Sequence, residues 1–381
     1  MENMLVNVGA RRRKRRRVLA AIAVGASLLA ACSSTASVAP SPSSSSTPGP
    51  LTGTGTINVL TWETYHNDPW VAQAEKDLGI KINITRAGSV DEMYAKARSN
   101  SSQYDMYLVD SGSISRYVAA NLIAPVDPSL LTNIGNVSPA LDWQSLNTIN
   151  GKIWAIPYNW GVQPMVFDKN KVPAADQTSW KTLWDPKYKG KVMVPDDAYI
   201  TLPIVALAAG IDPFKWSAAD YTTMQAKLSE LRGQIRTLTK SFSEQEAMMA
   251  SGDALVGYAQ AYDYVAKHAN LGMSFPTEGV PFWQDNYFFS PRGATNLDAY
   301  RFVDYTLTKA WQCRFANETL QNGILDPSVA KSCLTPDAWA GAGGNLVSQL
   351  TPQLRHKFVL LQAPPDMDKR LALWNAFKAG A

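Results

Sequence analysis

From Thr56 the chain alternates apolar and polar positions in "TINVLTW", the period of two that a half-buried strand shows. Turn formers follow in "ETYHNDP", and the apolar spacing then becomes helical from about Trp70 to Leu78. Alternation returns in "IKINIT", gives way to a helical "VDEMYAKARSN", and returns again in "YDMYLVD". Strands alternating with helices predict an α/β lobe with a largely parallel sheet. In such sheets ligand sites gather beyond the carboxyl ends of the strands. Trp62, Glu63 and Tyr65 follow the first strand there, and Asp110 and Ser111 follow the third.

A second unit opens near "IWAIPYNWGVQPMVFDKNKV", two extended apolar pieces around Pro157 and Gly161. Helical spacing recurs at about 201–209, 217–232 and 243–251, and strands are expected in "DALVGYAQ" and near "GMSFP". The stretch from about 290 to 330 is helical again, with "LDAYRFVDYTLTKAW" as its clearest part. No repeat and no linker separates the two units, so the chain is expected to cross between them more than once.

Composition changes this picture mainly at the N-terminus. Of 381 residues, 46% are hydrophobic and 18% charged, a globular balance long enough for two lobes. The formal charge of +4 comes from "RRRKRRR". Residues 1–31 hold seven of the 36 basic residues and one of the 32 acidic ones, leaving 29 basic against 31 acidic. The basicity therefore belongs to a targeting segment, and no nucleic-acid partner is expected. After the arginines comes the apolar run "VLAAIAVGASLLAA", with the length of a signal-peptide core. It ends at "LAAC", which resembles the lipobox of bacterial lipoproteins, so Cys32 is the expected site of lipid attachment. The arginines also loosely match a twin-arginine signal, and the export route stays open between the two. Ser, Thr, Pro and Gly then fill residues 33–56, read as a flexible tether. The expected location is extracytoplasmic, anchored to the outer face of the cell membrane. In that oxidising setting Cys313 and Cys333 are either a disulfide or two buried thiols.

Enzyme signatures are mostly missing. Three histidines, His66, His268 and His356, make no paired metal spacing, and there is no HExxH, nucleophile elbow or Walker motif. No catalysis, cofactor or metal is expected. Asp196 and Asp197 invite comparison with a glycosidase acid pair, but adjacent strand residues diverge. The chain offers instead 12 Trp and 15 Tyr, some beside acids in turns. In "TEGVPFWQDNYFF", extended backbone would point Trp283 and Asp285 to one side, placing an indole face by a carboxylate. A cation fits that corner, and a packed strand end would look the same.

Several segments together resemble the substrate-binding proteins of bacterial spermidine/putrescine ABC importers. They are "VLTWETY", "MYAKARSNSSQYDMYLV", "IPYNWG", "TSWKTLWDPKYKGKVMVPDDA", "PTEGVPFWQD" and "FKAGA", covering almost everything after Thr56. The resemblance implies a two-lobed α/β fold of the periplasmic-binding-protein type II kind with a hinged inter-lobe cleft, in a monomer. One lobe is expected over 57–159 with about 286–333, the other over 160–285 with about 334–381. It further implies capture of a polyamine between aromatic and acidic side chains and delivery to a membrane permease driven by an ATPase. Its ligand positions fall on Trp62, Trp283, Asp285 and Asp197, with Glu63 and Tyr65 beside them. Elsewhere the chain departs from the pattern. An acid is replaced by Ile200, a tryptophan by Gln260, a pair of aromatics by Gly112 and Ser113, and a tyrosine by Ile324. Compensation for a polyamine then needs Glu63, Asp110, Tyr258 or Tyr262 to turn inward. The departures also favour a second reading, the same receptor for an amino-acid derivative, a quaternary amine or a carboxylated solute. A third is a secreted hydrolase using Asp196, Asp197 or Glu63.

Overall fold

The computed structural model describes residues 51–62, 65–87, 90–259, 264–340, 357–362 and 364–380. The chain lays down β1 (Thr56–Trp62), β2 (Lys81–Ala87) and β3 (Met106–Asp110), with helices Asp68–Leu78 and Val90–Ser99 between them. A small hairpin, β4 (Thr148–Ile149) with β5 (Lys152–Ile153), precedes β6 (Ala155–Val162). Two residues later a second sheet begins with β7 (Met165–Asp168), followed by β8 (Val192–Pro195), β9 (Ile235–Thr239), β10 (Val256–Tyr258) and β11 (Leu271–Ser274). β12 (Val280–Phe289) returns to the first sheet, joined there by β13 (Asn322–Gly323) and β14 (Phe358–Leu360). The larger sheet has the order β13-β6-β12-β3-β1-β2, with β14 beside the start of β12, and the smaller has β11-β7-β10-β8-β9.

The expected parallel arrangement holds for β2-β1-β3 and for β9-β8-β10. It does not hold for β12, which runs antiparallel to both β3 and β6 because it re-enters from the other lobe. Apolar clusters cover both faces of the larger sheet, one around Ile57, Tyr158 and Phe302 and the other around Leu60, Tyr107 and Phe288. That is why β3 and β6 are buried along their whole length. The smaller sheet has its own core, from Met165 and Val192 to Trp374 and Phe377 of the last helix, Met367–Ala379.

Helix ends follow the local chemistry. Helix Asp68–Leu78 takes Pro69 in its first turn and stops at Gly79 in the left-handed conformation (φ 67°), starting two residues before the predicted Trp70. The pattern "LDAYRFVDYTLTKAW" forms two helices, Leu297–Thr306 and Lys309–Thr319, since the Thr308 side chain accepts from Trp311 N and starts a new one. Cys313 on the second of these is bridged to Cys333. Lobe limits differ from those expected at 159/160 and 285/286. β6 runs on to Val162, and all of β12 pairs in the larger sheet, so the crossings lie at 163–164 and 275–279. The segment 334–381 is itself shared, since β14 joins the first lobe and helix Met367–Ala379 the second.

Candidate functional site

Cross-strand register sets one line of residues across the larger sheet: Gly323 on β13 opposes Asn159 on β6, which opposes Asp285 on β12, which opposes Asp110 on β3. Directly opposed residues share a face, so two carboxyls and an amide stand side by side. An irregularity in the β6–β12 ladder falls between Asp285 and Asn286, ending the regular alternation just past the carboxylate.

Tyr65 donates its hydroxyl to Asp285 Oδ2 at 2.7 Å. Its ring is held from behind by Tyr158, at 5.5 Å between centroids, and edge-on by Phe315 at 5.8 Å. Asp110 accepts from Ser113 Oγ at 2.7 Å and from Tyr199 Oη at 3.0 Å. Tyr199 belongs to helix Ala198–Ala209 of the second lobe, so this bond joins the lobes. Burial pushes the Asp285 carboxyl up to about 8, with the nearby Asp110 charge adding and the Tyr65 hydroxyl opposing. Asp110 is also raised by burial, against hydrogen bonds from Ser113, Tyr199 and the Gly112 N–H.

Trp283 opposes Gly161, and its ring lies so close that a Cβ there would sit 2.3 Å from Cζ2. Glycine in "NWG" is therefore what admits the indole. The ring packs onto the second lobe's core, and Gln163, with its amide turned to satisfy both neighbours, accepts from Trp283 Nε1 at 3.2 Å. Asp197 caps helix Ala198–Ala209, accepting from Ile200 N at 3.3 Å. Asp196 accepts from Trp374 Nε1 at 3.0 Å and pairs with Lys378 at 3.0 Å. One aspartate is thus engaged in a helix cap and the other in an ion pair.

A groove of about 1640 Å³ runs between the lobes, with Trp62, Ser115 and Arg116 on one wall and Asp197, Tyr199 and Trp374 on the other. Trp62 Nε1 is buried with no partner among the described residues. Tyr65, Trp283 and Asp285 are absent from the groove's walls. Tyr199 both lines the groove and reaches Asp110, the neighbour of Asp285. The structure thus gathers Tyr65 and Asp285, places Trp62 and Asp197 on opposite walls, and sets Trp283 where first-lobe strand meets second-lobe core. Glu63, Gln260, Tyr262 and Cys32 lie outside the described residues.

One of the departures, Gly112, has a structural cause. A side chain at Gly112 would meet the Leu361 carbonyl oxygen at 1.9 Å, so no aromatic fits there. Ile200 and Ile324 are core residues, and Tyr258 is fully buried, with its hydroxyl 2.7 Å from Thr201 Oγ1. Of the expected compensating groups among the described residues, Asp110 and Tyr258, Asp110 is the one that stands beside Asp285. Sequence reading missed Tyr199 and Asn159. Tyr199 lies two residues past Asp197 at a helix start, and Asn159 two before Gly161, but only the contact between lobes shows what the first faces and only the strand register what the second does. Buried His66 lies within hydrogen-bond distance of Thr61 at 2.9 Å and Tyr287 at 2.8 Å, and burial lowers it to about 3, so it sits neutral beneath the site. No cluster of three or more potential metal ligands occurs among the described residues.

Comparison with known proteins places this geometry. The family model of bacterial extracellular solute-binding proteins matches residues 70–343. The spermidine/putrescine-binding periplasmic protein 1 of Haemophilus influenzae is 27% identical over 259 residues, 67% of this chain and 71% of its own. The putrescine-binding periplasmic protein PotF of Escherichia coli is 28% identical over 273 residues, 66% of this chain and 73% of its own. Among solved structures, the spermidine/putrescine ABC transporter substrate-binding protein PotD of Streptococcus pneumoniae superposes with a TM-score of 0.71 at 21% identity, covering 85% of this chain and 99% of that one. The fold is accordingly the two-lobed type II fold of periplasmic binding proteins. With 274 consecutive positions matched by the family model, this chain is a member of the bacterial extracellular solute-binding protein family.

Proposed function

We propose that the protein is the receptor of an ABC importer, capturing a putrescine- or spermidine-like polyamine between its lobes and handing it to a permease driven by a cytoplasmic ATPase. The observation that carries this reading is the buried Asp285, whose carboxyl takes a single described side-chain hydrogen bond, from Tyr65. A buried carboxylate with spare acceptors is costly until a cation arrives. An ammonium group supplies charge-assisted bonds of roughly 1.5 to 3 kcal/mol. Indole faces at Trp62 and Trp283 add about 0.5 to 2 kcal/mol each where the cation is desolvated over them. Asp197 adds negative potential from the opposite wall, and Glu63 and Gln260 complete the proposed contact set. Cys32 carries the lipid anchor and residues 33–56 the tether, which keeps the monomeric receptor near its permease on the outer face of the membrane. Cys313 and Cys333 serve stability rather than binding.

Titration calorimetry of the mature protein against putrescine, cadaverine and spermidine tests the reading. Saturable heat with at least one of them is expected, abolished in Asp285→Ala. No heat and no thermal shift with any of the three overturns it. The second reading, a different small solute such as an amino-acid derivative or quaternary amine, draws on Ile200 being core and Asp197 being spent partly on its cap. Mass spectrometry of the ligand that copurifies decides between the two.

A further inference from the structure

Asp110 and Asp285 oppose each other directly on adjacent antiparallel strands. Such partners bring their Cβ atoms about 4.5 to 5.5 Å apart on one face, so the two carboxyls share one pocket. Asn159 continues the row on the other side of Asp285. Its side chain is fully buried, its Nδ2 donates to Gln321 Oε1 at 3.2 Å, and its Oδ1 has no hydrogen-bond donor among the described residues. A buried amide oxygen left without a donor costs about 1 to 3 kcal/mol. The row therefore presents acceptors on three adjacent strands. Once both carboxyls are ionised neither can satisfy the other, and the Asn159 Nδ2 is engaged with Gln321 Oε1.

The chemistry that fits three clustered acceptors is narrow. A primary ammonium carries three N–H donors diverging from one point, whereas a quaternary ammonium carries none and offers only charge. We propose that Asp110, Asp285 and Asn159 form a three-acceptor seat for a single primary ammonium end, and that Asp110 supplies there the second negative charge that Ile200 cannot. Tyr199 donates to Asp110 Oδ1 from the second lobe and Ser113 to Oδ2, with the Gly112 N–H beside them, so the ammonium takes what these donors leave of that carboxylate's lone pairs. Filling the seat and bringing the lobes together thus meet at one carboxylate. The proposal rests on the amine-receptor reading above and narrows it to ligands with at least one unsubstituted –NH₃⁺ end.

The test is calorimetry on the mature protein with two probes, putrescine and its fully N-methylated bis(trimethylammonium) analogue, for the wild type, Asp110→Asn and Asn159→Leu. Wild type is expected to bind putrescine at least tenfold more tightly than the methylated analogue. Asp110→Asn is expected to lose tenfold or more for putrescine and less for the analogue, because it removes an N–H acceptor geometry as well as charge. Asn159→Leu is expected to weaken putrescine alone. Wild-type affinity for putrescine in Asp110→Asn overturns the seat and leaves the receptor reading standing. Failure of the wild type to bind any diamine overturns both. Should Asp110→Asn not fold, the wild-type comparison still decides, since equal affinity for the two probes overturns the proposal.

Discussion

At the scale of single residues the site is governed by one carboxyl in the wrong medium. Asp285 is held near 8 in the folded protein by burial, against about 3.9 in an unfolded chain. Between those values the native state holds a proton that the unfolded state has released, so the slope of unfolding free energy with pH is negative. The contribution of Asp285 to the unliganded protein is therefore full below about pH 4 and is lost as pH rises through about 8. A cation on the site reverses this by favouring the ionised form, so affinity for an amine rises with pH up to about 8 and binding at pH 7 releases a proton. Thermal melts of the wild type and Asp285→Asn across pH 5 to 8.5 test the first part. The isosteric variant should remove the decline specific to the wild type, and parallel curves would show that the carboxyl is not the cause. Calorimetry at pH 7 in two buffers of different ionisation enthalpy reads the released proton directly. His66 takes no part in this window, being neutral down to about 3.

At the scale of elements, helix Ala198–Ala209 brings second-lobe groups to the site. It is apolar on nearly every side, and Pro203 lies within its first turns, so its start must be fixed by something other than amphipathic pattern. Asp197 does this by accepting from Ile200 N, and thereby aims Tyr199 at Asp110. Sequence spacing placed this helix at about 201–209. The first turn was hidden because "DDAYI" carries its signal in a cap rather than in periodicity. Replacing the cap by alanine typically costs about 0.5 to 2 kcal/mol. Asp197→Ala is accordingly expected to destabilise by about 1 kcal/mol in urea unfolding, while Asp197→Ser keeps the cap and most of the stability. If both variants lose amine affinity equally, the charge of Asp197 acts on the ligand. If only Asp197→Ala does, the helix start is what matters. Unchanged stability in Asp197→Ala would remove the capping account.

At the scale of the whole molecule, short β-prone runs bounded by turn formers made β1, β2 and β3 legible to within two residues at each end, even though β3 is buried along its whole length and shows no half-buried period. The pairing of β12 was not legible, because its ten residues are buried on both faces and carry no alternation that says which strands flank it. That pairing is what sets Asp110 beside Asp285, and so the candidate site was readable as residues but not as a row. The same lobe depends on a covalent tie that sequence left open. Cys313 and Cys333 close a loop with a sequence separation of 20 and pin helix Lys309–Thr319. That helix carries Phe315 against Tyr65, and Trp311, whose Nε1 donates to the Tyr158 hydroxyl at 3.3 Å. Chain entropy assigns such a loop about 3 kcal/mol. The double variant Cys313→Ser/Cys333→Ser is therefore expected to lose about 2 to 4 kcal/mol in denaturant unfolding, with wild type in reductant showing the same loss. Because the backing of Tyr65 loosens with the helix, amine affinity should fall together with stability. A variant as stable as the oxidised wild type would mean that packing of Trp311 and Phe315 alone holds the helix in place.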